Sequence, residues 1–195
     1  MNPPMMNLPK YVPPATTVRA LIAQHARTQP DAVFAMFPET QAELSYKALE
    51  QEVQQYAAQF YALGLAQGDT VSYMMGNGRS ALVLFLSALY AGLIVSPLNP
   101  AAGPEQITYV LQHSDTKLVF VSPNFKAVVD QAQSASAIAI PTVECDEDCG
   151  PVWPQASVSA IKLVPIEPTS DGLLMYTSGT TGRPKGVVLT HENLL

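Results

Sequence analysis

The stretch Tyr176-Thr177-Ser178-Gly179-Thr180-Thr181-Gly182-Arg183-Pro184-Lys185-Gly186 gathers more chemistry-bearing residues than any other part of the chain. Its glycines let neighbouring backbone N–H groups turn toward one anion and form a nest. Thr177, Ser178, Thr180 and Thr181 carry hydroxyls that can donate to phosphate oxygens or ligate a metal. Arg183 and Lys185 offset negative charge. Together these residue types suit a polyphosphate. The pattern is not that of P-loop NTPases, because Gly186 rather than Ser or Thr follows Lys185 and the glycine spacing differs. It also runs into the β-branched segment Val187 to Thr190, whereas a P-loop opens directly into a helix. Composition alone leaves a plain Gly/Thr turn as the other reading.

A second glycine loop competes. Gly76-Asn77-Gly78-Arg79-Ser80-Ala81 fits G-x-G-x-x-A between a strand and a helix. The dinucleotide fingerprint wants an acid about 20 residues further on. Here the next carboxylate after Gly78 is Glu105, beyond the following strand. A turn whose glycines permit positive φ is the simpler expectation. Cys145 and Cys149 flank Asp146-Glu147-Asp148. A metal loop or a disulfide is conceivable, yet two cysteines without a nearby histidine fall short of any zinc pattern. The expectation there is a solvated acidic turn with two free thiols, and no metal site. His25 is expected at the edge of a core and His191 in the first turn of a helix; neither they nor His113 is expected to be catalytic.

Positioning these loops requires alternating strands and helices. Residues 1–15 read as an extended arm. Thr16 or Thr17 can cap a helix to about Thr28, with Val18, Leu21, Ile22 and His25 on one face. Strands are predicted over Asp31–Phe37 and Glu43–Tyr46, then a long helix Tyr46–Leu65 closed by Gly68. Strand Asp69–Met75 precedes a buried helix near 80–91 and a buried strand near 93–97. Helix Pro104–His113, strand Lys117–Val121, a helix from Ser122-Pro123 to about Ala132 and strand Ile138–Val143 follow. Residues 144–170 are rich in proline and lack periodicity, which predicts a long surface connection. Strands Gly172–Tyr176 and Val187–Thr190 bracket the first loop, with Thr190 capping a helix that begins at His191. The alternation predicts an α/β fold with a mainly parallel sheet and helices on both faces.

Composition narrows the class. The 195 residues are 48% hydrophobic and only 13% charged, with net charge −6. An ordinary soluble domain is about 25% charged. Disorder has the opposite signature, and two cysteines cannot make a disulfide scaffold. Ten basic residues, spread out in an acidic chain, do not make a nucleic-acid stripe. From Ser80 to Pro104 no residue is charged, but Gly92 breaks the run and Leu-Ile-Val-Ser-Pro follows, so a buried helix and strand are expected rather than a membrane span. No secretory signal is read at the N-terminus, and a reducing cytosol is the expected compartment.

Tyr176 to Leu195, YTSGTTGRPKGVVLTHENLL, resembles the signature of the adenylate-forming superfamily of acyl- and aryl-CoA synthetases, luciferases and peptide-synthetase adenylation domains. Earlier blocks resemble the family in the same order: Leu44-Ser45-Tyr46-Lys47-Ala48-Leu49, then Gly68-Asp69-Thr70-Val71 with Asn77, then Leu89-Tyr90-Ala91-Gly92 through Pro97-Leu98-Asn99-Pro100. The resemblance covers about residue 16 onward. Gly179-Thr180-Thr181-Gly182 and the Leu98-Asn99-Pro100 block are most similar to acyl-CoA synthetases rather than to peptide-synthetase domains.

The resemblance implies a two-step ligation. A carboxylate attacks the α-phosphate of ATP to give an acyl-adenylate and pyrophosphate, and the thiol of coenzyme A then displaces AMP. It implies that Thr177, Ser178, Gly179, Thr180, Thr181 and Gly182 bind the ATP phosphates and that Lys185 neutralises their charge during catalysis, with Mg²⁺ as cofactor. It implies that residues 16–195 are the N-terminal portion of the AMP-binding domain. The adenine and ribose contacts, the Mg²⁺-binding glutamate and the catalytic lysine of a mobile C-terminal domain would lie outside this sequence. The chain alone is then expected to be inactive, to expose apolar surface toward the remainder of the ligase, and to be poorly soluble. A non-catalytic fragment that binds nucleotide or a partner chain is the alternative.

Overall fold

A computed structural model describes residues 15–135, 139–154, 162–177 and 183–195. The arm expected over 1–15 lies outside them apart from its last residue. Chain order gives α1 (Val18–Thr28), β1 (Val33–Phe37), β2 (Ala42–Ser45), α2 (Tyr46–Ala62), β3 (Thr70–Met74), α3 (Arg79–Ala91) and β4 (Ile94–Pro97). Then come α4 (Pro104–His113), β5 (Thr116–Val121), α5 (Lys126–Ala135), β6 (Thr142–Asp146), β7 (Gly150–Pro151), β8 (Asp171–Thr177) and β9 (Lys185–Thr190).

Local chemistry sets the helix ends. The Thr17 hydroxyl accepts from the Ala20 N–H at 3.2 Å, and the Ser45 hydroxyl accepts from the Ala48 N–H at 3.3 Å. Helix α2 stops at Ala62 rather than near Leu65, since Gly64 takes φ +87° and the Leu65 N–H turns back to the Phe60 carbonyl. Pro104 occupies the first turn of α4, where its missing N–H costs nothing.

Seven strands form one sheet in the order β7-β6-β5-β3-β4-β8-β9, and β1 pairs with β2 in a separate antiparallel hairpin. The pairs β6/β5, β5/β3, β3/β4 and β4/β8 are parallel, and the two outer pairs, β6/β7 and β8/β9, are antiparallel. The mainly parallel sheet expected from the alternation is therefore present. Alternate residues of each buried strand serve opposite faces. Leu118 and Phe120 join α1, α2 and α3 on one side, and Val119 and Val121 join α4 and α5 on the other. This burial on both faces accounts for the uncharged run from Ser80 to Pro104. Among the described residues no helix is long and apolar enough to cross a membrane.

Two expectations change. The sixth strand runs over Thr142–Asp146; of the expected span, Ile138 lies outside the described residues, and residues 139–141 are not in the strand. Pro141 has no N–H to give a ladder and only lends its carbonyl to the Val119 N–H, so pairing proper begins after it. The segment after Val143 is also not simply a surface connection. β6 and β7 fold into a hairpin, and Trp153 packs edge-on against Tyr56, Phe60 and Phe120 at centroid distances of 5.1, 5.8 and 5.6 Å. Cys145 is fully buried in that core, and burial pushes its thiol up to about 12, whereas Cys149 is exposed. Both thiols are free.

After β9 the chain makes a short 3-10 turn, His191–Asn193, in place of the helix expected from His191. The Asn193 carboxamide oxygen accepts from the Thr190 N–H at 3.1 Å, and Thr190 Oγ1 lies 2.9 Å from the same atom. His191 is fully buried, and its Nδ1 accepts from the Val18 N–H at 3.3 Å. Burial, and then the Arg19 cation, hold the imidazole below its usual value of 6.5. A group depressed in this way contributes stability that is present above the unfolded value and lost as pH falls through the folded one. The melting temperature should accordingly drop more between pH 7 and 5 in the native chain than in His191→Gln, and parallel pH profiles would remove His191 as the cause.

Candidate functional site

Open α/β sheets hold ligands at the carboxyl ends of their strands, where the chain reverses its direction across the sheet. Here the chain steps from β3 outward to β4, then crosses back to β5 on the other side of β3. The crevice between β3 and β5 is therefore the topological switch point, and the Gly76-Asn77-Gly78 loop lies at its mouth.

That crevice is filled by the chain itself. Glu147 Oε1 accepts from the Gly76 N–H at 2.9 Å and from the Ser122 hydroxyl at 3.0 Å. The Glu147 carbonyl accepts from the Ser80 N–H at 2.9 Å, at the start of α3. A Cβ on Gly76 would stand 3.0 Å from both Glu147 carboxylate oxygens, and one on Gly78 would stand 2.8 Å from the Glu147 carbonyl. Neither glycine has positive φ, so close approach, not turn geometry, is what requires them. The acidic turn was read as solvated, and Asp148 is exposed, but Glu147 is half-buried and supplies the anion that a dinucleotide would otherwise bring. Asp146 shapes the turn by accepting from the Asp148 and Cys149 N–H groups at 3.0 and 2.8 Å. The sequence did carry a signal for Glu147: an acid in a tight turn just beyond the carboxyl end of a strand.

The other glycine loop is held differently. In the antiparallel β8/β9 pair, Thr177 is in register with Lys185 and Tyr176 with Gly186. Thr177 and Lys185 therefore face each other at the root of this strand pair, where residues 178–182 connect the two strands. Ser178, Gly179, Thr180, Thr181 and Gly182 lie outside the described residues. Lys185 and Thr177 are both exposed, so the cation and the hydroxyl at the root are free to meet a ligand.

A cleft of about 470 Å³ opens beside that root, between the carboxyl ends of β4 and β8. Leu98, Ile107 and Val110 give it an apolar floor, and Tyr176 and Thr177 form the wall nearest the loop. The root residues Thr177 and Lys185 and the cleft therefore lie at the same end of the sheet. The described residues bring together no group of three His, Cys, Asp or Glu side chains that could cage a metal. The positive charge they bring to the root is Lys185 and Arg183.

A family model described as "AMP-binding enzyme" matches residues 22–195. The chain is 38% identical over 181 residues to the sulfoacetate–CoA ligase of Cupriavidus necator, covering 92% of this chain and 36% of that protein. It is 31% identical over 160 residues to the crotonobetaine/carnitine–CoA ligase of Salmonella arizonae, covering 77% of this chain and 31% of that protein. Among solved structures it superposes on a fatty acyl CoA synthetase of Mycobacterium tuberculosis with TM-score 0.75 and 25% identity, over 91% of this chain and 35% of the other. The chain spans about a third of the length of these relatives.

Proposed function

Because the chain belongs to the AMP-binding enzyme family, we propose that it forms the phosphate-binding part of an acid–thiol ligase that activates a carboxylic acid as its adenylate and passes it to coenzyme A. The observation that carries this reading is the hairpin root. Thr177 and Lys185 face each other at the carboxyl end of the sheet, on either side of the loop with the family's glycines and hydroxyls.

In the adenylation step an anionic carboxylate attacks an anionic phosphate while pyrophosphate leaves. Preorganised donors and cations aimed at the leaving group lower that barrier. Lys185 would neutralise charge on the departing phosphates. The hydroxyls of Thr177, Ser178, Thr180 and Thr181 and the backbone of Gly179 and Gly182 would donate to their oxygens. Mg²⁺, when bound, would offset further phosphate charge. Residues 16–195 would then be the first portion of the AMP-binding domain.

The thiol acceptor is proposed as coenzyme A rather than a peptide-synthetase carrier, because both relatives named above are CoA ligases. For the acid we propose a small, charged carboxylate, since those relatives are named for sulfoacetate and for crotonobetaine or carnitine.

The test is calorimetric titration of the 195-residue chain with ATP and with inorganic pyrophosphate. Saturable binding of both, competing for one site, is the expected result. Absence of any binding by a folded preparation would refute the phosphate-site reading.

A further inference from the structure

Outside the loop itself, four side chains from two elements meet at the hairpin root. The Tyr176 hydroxyl and His113 Nδ1 are hydrogen-bonded at 2.8 Å, and their rings meet edge-to-face at 5.7 Å. His113 lies against Tyr109, one turn earlier on α4, at a centroid distance of 5.3 Å. The Arg183 guanidinium sits over the Tyr109 ring at 5.9 Å. Both flanks of the loop are thereby tied to the last two turns of α4: Tyr176, on the strand entering it, to His113, and Arg183, on the segment leaving it, to Tyr109.

The contacts are mutually dependent. Tyr176 presents its ring to the strand as well, since a Cβ on Gly186 would stand 3.5 Å from it. The ring thus packs on β9 at Gly186 while its hydroxyl reaches His113. Arg183 has no carboxylate partner among the described residues, and an aromatic face is the kind of partner a planar guanidinium takes when none is present. The charge of Arg183 is therefore fixed toward α4, while Lys185, two residues on, is left exposed at the root.

We propose that Tyr109, His113, Tyr176 and Arg183 brace the root of the phosphate loop against α4, so that His113 and Arg183 position the loop rather than bind the phosphates. The proposal rests on the phosphate-site reading, which the plain charge inventory would extend to Arg183 as a direct ligand. A brace lowers the conformational freedom that the loop must give up on binding, and that gain is shared among its members.

The two roles separate in a double-mutant cycle read by pyrophosphate titration of the 195-residue chain. With a brace, Tyr109→Leu and Arg183→Gln each weaken binding by about threefold, and the double variant is no weaker than either, because both break one contact. Tyr109→Phe keeps the ring face and should bind like the native chain. If Arg183 instead contacts phosphate, Arg183→Gln weakens binding and Tyr109→Leu does not, or the two losses multiply; either result overturns the proposal. A second readout needs no ligand: amide exchange at Lys185 and Gly186 should quicken in Tyr109→Leu and in Tyr176→Phe, and unchanged exchange in both would overturn the brace. Should the native chain fail to bind pyrophosphate, the phosphate-site reading falls and takes the positioning role with it, while the exchange measurement still decides whether the brace exists.

Discussion

Replacing Lys185 by methionine is expected to weaken pyrophosphate binding by about ten- to a hundredfold, because a hydrogen bond to a charged group is worth roughly 1.5–3 kcal/mol. The lower end of that range is the better figure, since Lys185 is exposed and solvent screens its charge. Methionine keeps the apolar stem and removes only the ammonium. The register of β8 with β9 is built from backbone hydrogen bonds, so the hairpin should survive the change. Lys185→Arg restores the charge on a broader head and should recover part of the affinity. A methionine variant that binds pyrophosphate as the native chain does would show that Lys185 plays no part in neutralising phosphate.

The largest effect on stability is expected at Glu147. In Glu147→Ala the Gly76 N–H and the Ser122 hydroxyl lose a shared carboxylate acceptor. Leaving a donor unpaired costs about 1–3 kcal/mol each, and partial access of water to the crevice should hold the total near 2–4 kcal/mol. Glu147→Gln retains an oxygen acceptor and should cost about 1 kcal/mol or less. Urea unfolding of the three proteins measures the difference. Near-equal stability of Glu147→Ala and the native chain would mean that the crevice does not need its internal anion.

The sequence showed most plainly what periodic burial imposes. The uncharged run beginning at Ser80 became α3 and β4 because most of both is buried, and Pro104 and Thr17 marked helix starts through their own backbone chemistry. The two strands around the glycine and hydroxyl stretch were legible because the apolar runs Leu173 to Tyr176 and Val187 to Leu189 end abruptly at it. Cys145 and Trp153, and the distant partners of Glu147, were not legible. All three residues belong to an aperiodic stretch, and their partners, such as Gly76, Tyr56 and Phe60, lie far away in sequence. Isoleucines beside Pro141 suggested a strand that begins too early, because apolarity was visible and the missing ladder donor outweighed it. Within the candidate site, residue types suggested the phosphate chemistry proposed above, while the packing of Arg183 on Tyr109 depended on a helix more than one element away.

The hydrogen bond between the Val18 N–H and His191 spans 173 residues of chain. It sets an order on folding during synthesis. Helix α1 is made well before β9, and its buried imidazole acceptor follows β9, so α1 cannot complete its N-terminal docking until His191 has been made. Contacts of such long range slow folding, because loop-closure entropy must be met before they return any energy. While synthesis continues, the apolar face of α1 carrying Val18, Ile22 and Ala26 can rest only on α2 and α3, and for that interval it is the surface a chaperone would find.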